Sequence, residues 1–204
     1  MINGIRDYDR KRHTIFVGSC APAPLWELLP TLSDQYPDMT VASELRENDA
    51  LIQGLQNGTY HIIILPFQVE IPEAGCRKYG EEHLFFSLPP AHSLSGSKTL
   101  RFADLNGDTM LLRSRLGFWK RITDEKMPDT RFLVQEDADF DELVKASALP
   151  SFTSDLVIQR EGEIPNRIKI PIEDKEANVE YYLYFSKKSR NLLTHFLQVM
   201  QLQK

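Results

Sequence analysis

The first third of the chain alternates short apolar runs with amphipathic stretches. Residues 14–65 follow the order strand, helix, strand, helix, strand, and this alternation predicts a parallel sheet covered by helices. The loop after the first predicted strand, residues 18–24, contains neither Gly-x-Gly-x-x-Gly nor Gly-Lys-Ser/Thr. Because these patterns form the usual cradles for nucleotide phosphates, the loop favours a pocket for another kind of small ligand.

The bounds of the two helices in this segment follow from local signals. Leucines at three- and four-residue spacing predict a helix after Pro24 with one buried stripe. Pro30 removes a backbone donor within that helix, so propensity alone would end the helix there. Asn48 is the expected N-cap of the second helix, and Gly58 is placed to end it in the left-handed conformation. The nearly continuous apolar run 61–65 predicts a strand covered on both faces.

Composition excludes several classes of protein. The 204 residues are 42% hydrophobic, which is enough for a substantial core in one domain or two small lobes. A net charge of −5 argues against a stand-alone nucleic-acid binder. The N-terminal apolar run is too short for a secretory signal, and no run approaches the ~20 residues needed to cross a bilayer. We therefore expect a cytoplasmic protein.

Cysteine and histidine give no sign of a metal site or cofactor. Cys20 and Cys76 form no metal-ligand spacing and are too few for a secreted disulfide framework. Histidines are scattered without a pattern such as His-Glu-x-x-His; they are His13, His61, His83, His92 and His195. No metal or cofactor is expected.

The order of motifs in residues 13–65 resembles a known family. The motifs are the Gly18-Ser19 loop, Leu28-Leu29-Pro30, Tyr36-Pro37-Asp38, Asn48 opening a helix, Leu55-x-x-Gly58 and the apolar strand 62–65. In this order and spacing they resemble the effector-binding domain of LysR-type transcriptional regulators, a relative of the periplasmic solute-binding proteins. The resemblance continues more weakly to the C-terminus.

The resemblance implies an α/β fold of two Rossmann-like lobes with a ligand cleft between them, as in type 2 periplasmic binding proteins. Residues 1–12 are then a polar tail or linker remnant. Lobe I comprises residues 13–67 and about 173–204, and lobe II comprises about 68–172. The resemblance also implies that the first helix continues through Pro30 with a kink.

Ligands of open α/β sheets bind beyond the carboxyl ends of the strands, where helix N-termini offer N–H groups. The first candidate segment is therefore Ser19, Cys20 and Ala21, after the first strand. The Ser19 hydroxyl and nearby amides would hold a carboxylate or a similar oxygen. Alternatively, Ser19 only caps the following helix, and the two roles are compatible.

The second candidate segment follows a strand predicted at 109–112. Arg113 would pair bidentately with an anionic ligand, Ser114 lies beside it, and Gly117 allows close backbone approach. The alternative for Arg113 is a plain surface arginine, and Arg115 is the weaker candidate of the two.

The remaining candidates combine aromatic and hydroxyl groups. Phe152 and Thr153 would place a ring and a hydroxyl at the cleft rim, although a plain buried strand is an equal alternative. Pro66 and Phe67 would lie at the cleft floor, where Phe67 would stack on a ligand or pack in the core.

The expected function is that of an effector-sensing domain that binds a small polar or anionic metabolite. In the family, a winged helix-turn-helix absent from this sequence contacts DNA, and the domains associate as homodimers. One alternative is a small enzyme of the same fold, because Thr130-Arg131-Phe132 matches a prephenate dehydratase triplet and Cys20 could be nucleophilic. Another is a solute-binding protein feeding a transporter.

Overall fold

The protein divides into two compact units, which we describe from a computed structural model covering residues 13–202, with side chains through residue 200. Unit 1 consists of Met1–Gly80 and Tyr181–Lys204, and unit 2 of Glu81–Glu180. The predicted 1–12 tail lies outside the described residues. The lobe boundaries expected near residues 68 and 173 stay a prediction.

Unit 1 contains the predicted alternation of strands and helices. Its elements are β1 (Thr14–Ser19), α1 (Leu25–Gln35), β2 (Thr40–Leu45), α2 (Asn48–Gln56) and β3 (Ile62–Leu65). β1 lies between β2 and β3 and is parallel to both. All four residues of β3 are buried, as expected for a strand covered on both faces. This part of the sheet is therefore the parallel, helix-covered sheet that the sequence predicts.

Helix α1 continues through Pro30 and buries Leu25, Leu28 and Leu32 on one face. The continuation implied by the family resemblance is thus confirmed. Burial of this leucine stripe outweighs the single hydrogen bond that the proline removes.

The two ends of α2 differ in how well they were predicted. Asn48 is not the N-cap: it is already helical, and the cap is Glu47, without a side-chain hydrogen bond. The reason is that the Leu51 N–H donates to the Glu47 carbonyl, so the first helical bond starts one residue earlier. Gly58 has a φ of 82°, which confirms the left-handed ending.

Two long strands run through both boundaries between the units. β4 (Ala74–Leu88) passes from unit 1 into unit 2, and β9 (Asn178–Ser186) returns. The two strands are neighbours in the strand order, and β9 pairs antiparallel with β3. Helix α6 (Thr194–Leu202) follows in unit 1.

Unit 2 combines a small parallel pair with antiparallel strands. Its elements are a 3₁₀ turn (Phe102–Leu105), β5 (Thr109–Arg113), α3 (Trp119–Lys126), β6 (Arg131–Gln135), α4 (Asp137–Ala146), β7 (Ser151–Ser154), α5 (Asp155–Glu161) and β8 (Ile168–Pro171). β5 and β6 are parallel, whereas β7 and β8 each pair antiparallel with β4. Leu111 of β5 packs with Phe140 and Val144 of α4 in the core.

None of the helices in the described part of the chain is both long and apolar enough to cross a membrane.

Candidate functional site

Loops that follow parallel strands on the carboxyl side are the first places to look for a ligand. In unit 1 these loops are residues 20–24, 46–47 and 66–73, which we call the unit 1 edge. In unit 2 they are residues 114–118 and 136, which together with Arg113 we call the unit 2 edge.

Ser19, Cys20 and Ala21 are all fully buried, at 0% exposure. The Ser19 hydroxyl donates to the Ala21 carbonyl at 2.7 Å and accepts the Ala21 N–H at 3.3 Å. The Cys20 N–H donates to the Ile64 carbonyl of β3. The polar groups of this segment therefore hold the loop itself, and Ser19 does not cap α1, whose N-cap is Pro24.

The start of α1 offers few N–H groups to an anion. Pro22 and Pro24 carry none. The Leu25 N–H donates to the Pro22 carbonyl, and the Trp26 N–H donates to the Ala23 carbonyl. Anion binding at a helix N-terminus depends on such donors being available, so this helix start is a weak receptor for a carboxylate.

Phe67 stands out in the loop after β3 because 40% of it is exposed, whereas Pro66 is half-buried. Two residues further on, the Val69 N–H donates to the Tyr184 hydroxyl at 2.6 Å, and that hydroxyl donates to the Val69 carbonyl at 2.9 Å. Burial raises the pKa of Tyr184 to about 12, so the hydroxyl keeps its proton. The loop is thus fixed while the Phe67 ring faces solvent.

An ordered polar cluster at the end of β2 was not found from the sequence. The Tyr60 hydroxyl donates to Glu44 at 2.5 Å, and Arg46 pairs with the same carboxylate at 2.8 Å. The Tyr60 hydrogen bond, followed by the one from Arg46, lowers the pKa of Glu44. The trace of this cluster in the sequence is the pair of glycines Gly18 and Gly54. Their meaning is visible only in the structure, where a Cβ on either would lie within 3.3 Å of the Tyr60 ring.

Arg113 is engaged by carboxylates of unit 2. Its Nη2 donates to Asp141 at 2.7 Å and to Glu161 at 2.8 Å, and its Nη1 lies 3.8 Å from Asp137. Its guanidinium also lies over the Phe140 ring, 4.6 Å from the centroid, and its side chain is only 18% exposed. A guanidinium with three carboxylates around it presents no net positive charge to a ligand. In this arrangement Arg113 joins β5 to α4 and α5.

The other residues of the unit 2 edge differ in how available their polar groups are to a ligand. The Ser114 hydroxyl donates to Glu136 at 3.0 Å. Gly117 has a φ of 60°, a left-handed conformation that favours glycine. Arg115 is exposed, and within residues 13–202 it has no hydrogen-bond or ion-pair partner. The cation open to a ligand is therefore Arg115 and not Arg113.

Phe152 and Thr153 lie on β7, opposite Phe86 and Phe85 of β4. The Phe152 ring stacks on Phe86 at 5.1 Å and lies 6.3 Å from the Phe102 ring, so much of it belongs to an aromatic cluster. Thr153 is half-buried, and its hydroxyl bonds to no other described residue. The hydroxyl is thus the part of β7 best placed to meet a polar ligand.

The Thr130-Arg131-Phe132 triplet has a structural role here. The Thr130 hydroxyl donates to the Leu105 carbonyl at 3.2 Å and accepts the Gly107 N–H at 3.1 Å. Arg131 is exposed at the start of β6. Thr130 therefore anchors the turn that precedes β5.

Across the described residues, no group of three or more His, Cys, Asp or Glu side chains is arranged to hold a metal ion. His83 and His61 each hydrogen-bond to another residue of their own unit. His83 Nδ1 lies 2.6 Å from Asp155, and His61 Nδ1 accepts the Phe16 N–H at 3.1 Å.

Comparison with known proteins identifies the family. The family model described as LysR substrate binding domain matches residues 8–203. A sequence comparison with curated proteins finds no match. Because the model spans nearly the whole chain, the protein belongs to this family.

Solved structures agree on the fold. The regulatory domain of MetR from N. meningitidis is 12% identical, with a TM-score of 0.73 and coverage of 91% of each chain. Full-length CbnR in complex with its target DNA is 21% identical, with a TM-score of 0.58 and coverage of 91% of this chain and 70% of that chain. The BenM effector-binding domain with its effector benzoate is 18% identical, with a TM-score of 0.56 and coverage of 85% and 83%.

The protein thus has the two-lobed fold of LysR substrate-binding domains, related to periplasmic binding proteins. It is an effector-sensing regulatory domain of the LysR type and not an enzyme. The family match does not favour the two alternatives, a prephenate dehydratase-like enzyme and a solute-binding protein that feeds a transporter.

Proposed function

We propose that this domain binds a small polar metabolite at the carboxyl ends of its parallel strands and, in unit 2, along the antiparallel strand β7. The observation that carries the proposal is the family match over residues 8–203. It is supported by the parallel strands of each unit, which are followed by loops that contain both polar and apolar residues. The interlobe cleft expected from the sequence stays a prediction.

Direct contacts are proposed for groups that have no side-chain partner in the part of the chain that the structure describes, or that face solvent. These are the Thr153 hydroxyl, the Arg115 guanidinium and the exposed Phe67 ring. Ser19, Cys20, Ala21, Pro66, Ser114, Gly117 and Phe152 shape the surrounding loops and strand, and Arg113 holds the framework of unit 2.

A carboxylate is the ligand class that best suits an unpaired guanidinium, because two N–H groups can bind two oxygens. Benzoate, the effector of BenM, belongs to this class. Neutral polar metabolites are the second class, which the Thr153 hydroxyl would recognise.

Regulation requires that the effector bind one arrangement of the protein more tightly than another, since only that difference shifts an equilibrium. We propose that the change is passed to a second copy in a homodimer and to DNA through a separate helix-turn-helix, in the cytoplasm. CbnR, whose structure contains its target DNA, has the same fold.

The experiment is a thermal-shift screen of carboxylates, amino acids and neutral polyols. A ligand at ~100 times its dissociation constant adds ~2.7 kcal/mol to the free energy of unfolding. Each hit is titrated against Arg115→Ala and Thr153→Ala. The matched control is Arg121→Ala, because Arg121 is exposed and its ion-pair partner among the described residues is Glu125 of its own helix.

A carboxylate hit should bind about 10-fold more weakly to Arg115→Ala and unchanged to Arg121→Ala, the loss expected for one charged hydrogen bond. A hit whose affinity is the same for Arg115→Ala, Thr153→Ala and the unmodified protein would refute the proposed contacts.

A further inference from the structure

Arg167 connects three segments of unit 2 through one guanidinium. It lies between α5 and β8. Its Nε donates to the Ser87 hydroxyl at 3.2 Å, and its Nη2 donates to the Ser87 carbonyl at 2.5 Å and the Leu149 carbonyl at 2.7 Å. Its Nη1 donates to the Ser147 carbonyl at 3.2 Å, and the Ser151 hydroxyl lies 3.5 Å from Nη2. β4, the turn 147–150 and the start of β7 thus share one side chain.

The charge of Arg167 is not paired. Among the described residues its partners are carbonyl and hydroxyl oxygens, without a carboxylate. The side chain is half-buried, and burial lowers its pKa. Desolvating an unpaired cation is costly, so the favourable contribution of Arg167 comes from the geometry of its bonds. A planar fork can reach several carbonyls at once, which an ammonium group cannot do.

The turn 147–150 has a small set of other contacts: Leu149 packs against the core cluster of unit 2, and the Ser147 N–H donates to the Val144 carbonyl at 3.3 Å. The Leu149 N–H donates to the Ser147 hydroxyl at 3.0 Å, and the Pro150 carbonyl accepts the Leu111 N–H at 2.8 Å. The carbonyls of Ser147 and Leu149 point to Arg167. Since this turn leads directly into β7, the bonds of Arg167 fix where that strand begins.

We propose that Arg167 is a positioning residue that sets the placement of β7, and with it Phe152 and the Thr153 hydroxyl. Its importance for effector affinity rests on the proposed function. The placement itself does not, because β7 can be observed without any ligand.

The test is amide hydrogen exchange of the full chain, read by mass spectrometry well below the unfolding temperature. The variants are Arg167→Met, which loses the fork and the charge, and Arg167→Lys, which keeps the charge. The control is Lys169→Met: Lys169 is 41% exposed, its ion-pair partner in the described part of the chain is Glu163, and methionine can keep the contact with the Phe85 ring over which the ammonium lies. Exchange in residues 147–154 is compared with exchange in β1.

Arg167→Met should accelerate exchange in residues 147–154 by about 10-fold or more relative to β1, as expected for loss of charged hydrogen bonds from one local unit. Arg167→Lys should lie between it and the unmodified protein, and Lys169→Met should match the unmodified protein. If Arg167→Met does not fold, Arg167→Gln replaces it with the same expected direction.

A uniform acceleration in both segments would show a general loss of stability and overturn the proposal. Unchanged exchange in Arg167→Lys would also overturn it, because charge alone would then suffice. Failure of the effector screen leaves these results intact, so the two proposals fail separately.

Discussion

The edges of the two units use their polar groups in different ways. In unit 1, the Ser19 hydroxyl and the neighbouring amides bond to the backbone of their own loop and of β3, and the Tyr60 ring fills the space opposite Gly18 and Gly54. In unit 2, Arg113 bonds to carboxylates carried by α4 and α5. The stability of unit 1 around its edge therefore depends on close packing and should change when a side chain gains volume. The stability of the unit 2 edge depends on ion pairs and should fall when the charged Arg113 side chain is removed.

The largest effect is expected for Arg113→Ala in unit 2. The substitution leaves Asp137, Asp141 and Glu161 facing one another without their shared cation. Removing one partner of a buried ion pair costs about 3–5 kcal/mol, and because the three carboxylates are 29–47% exposed and therefore partly screened by water, we expect about 1–3 kcal/mol. Urea unfolding monitored by circular dichroism measures this change.

The control for this variant is Arg115→Ala, which should change the free energy of unfolding by less than about 0.5 kcal/mol. Equal stability of the two alanine variants would show that the carboxylates do not hold the unit 2 edge together.

The packing of unit 1 is tested most directly by Gly54→Ala, which adds one methyl group beside the Tyr60 ring. Alanine is favoured over glycine in a helix by about 1 kcal/mol, yet a Cβ here would lie 2.3 Å from the Tyr60 ring. The ring cannot retreat without weakening the bond from its hydroxyl to Glu44. We therefore expect a net loss of about 1–2 kcal/mol, typical of overpacking, in the same urea experiment.

Gly80→Ala is the matched control, because a Cβ at Gly80 meets nothing within 4 Å. It should be neutral or stabilise by up to about 1 kcal/mol. A Gly54→Ala protein that is more stable than the unmodified one would contradict the packing account of unit 1.

The smallest effect concerns pH and His61 in unit 1. Burial lowers the pKa of His61, whose neutral Nδ1 accepts the Phe16 N–H. In the window between the folded and unfolded pKa values the unfolded chain binds more protons, so stability rises with pH. The contribution is fully present above the unfolded pKa of ~6.5 and is lost as pH falls through the lower folded value.

His61→Asn removes the titration while an amide oxygen can still accept the bond from Phe16. The difference in stability between the two proteins, measured from pH 8 to pH 5, should therefore shrink as the pH falls. A constant difference would show that His61 does not titrate with folding.

The sequence predicts the parts of this fold that depend on local periodicity. The alternation in residues 14–65, the passage of α1 through Pro30 and the ending at Gly58 follow from apolar spacing, from the family resemblance and from the freedom of glycine. The strands predicted at 61–65 and 109–112 also end within one residue of β3 and β5 in the structure.

The state of the polar groups at those edges could not be predicted in the same way. Arg113 was a candidate because it ends a strand, but its partners Asp141 and Glu161 lie 28 and 48 residues away in the chain. Whether a side chain is available to a ligand depends on such tertiary partners. Two acids near the start of α4, Asp137 and Asp141, face Arg113.

The most direct test of the central claim is calorimetric titration of the best compound from the screen, followed by recovery of that compound. The account predicts one molecule bound per chain, recovered chemically unchanged, with affinity lowered by Arg115→Ala or Thr153→Ala and unaffected by Arg121→Ala. Conversion of the compound by the protein, or binding that neither substitution weakens, would contradict it.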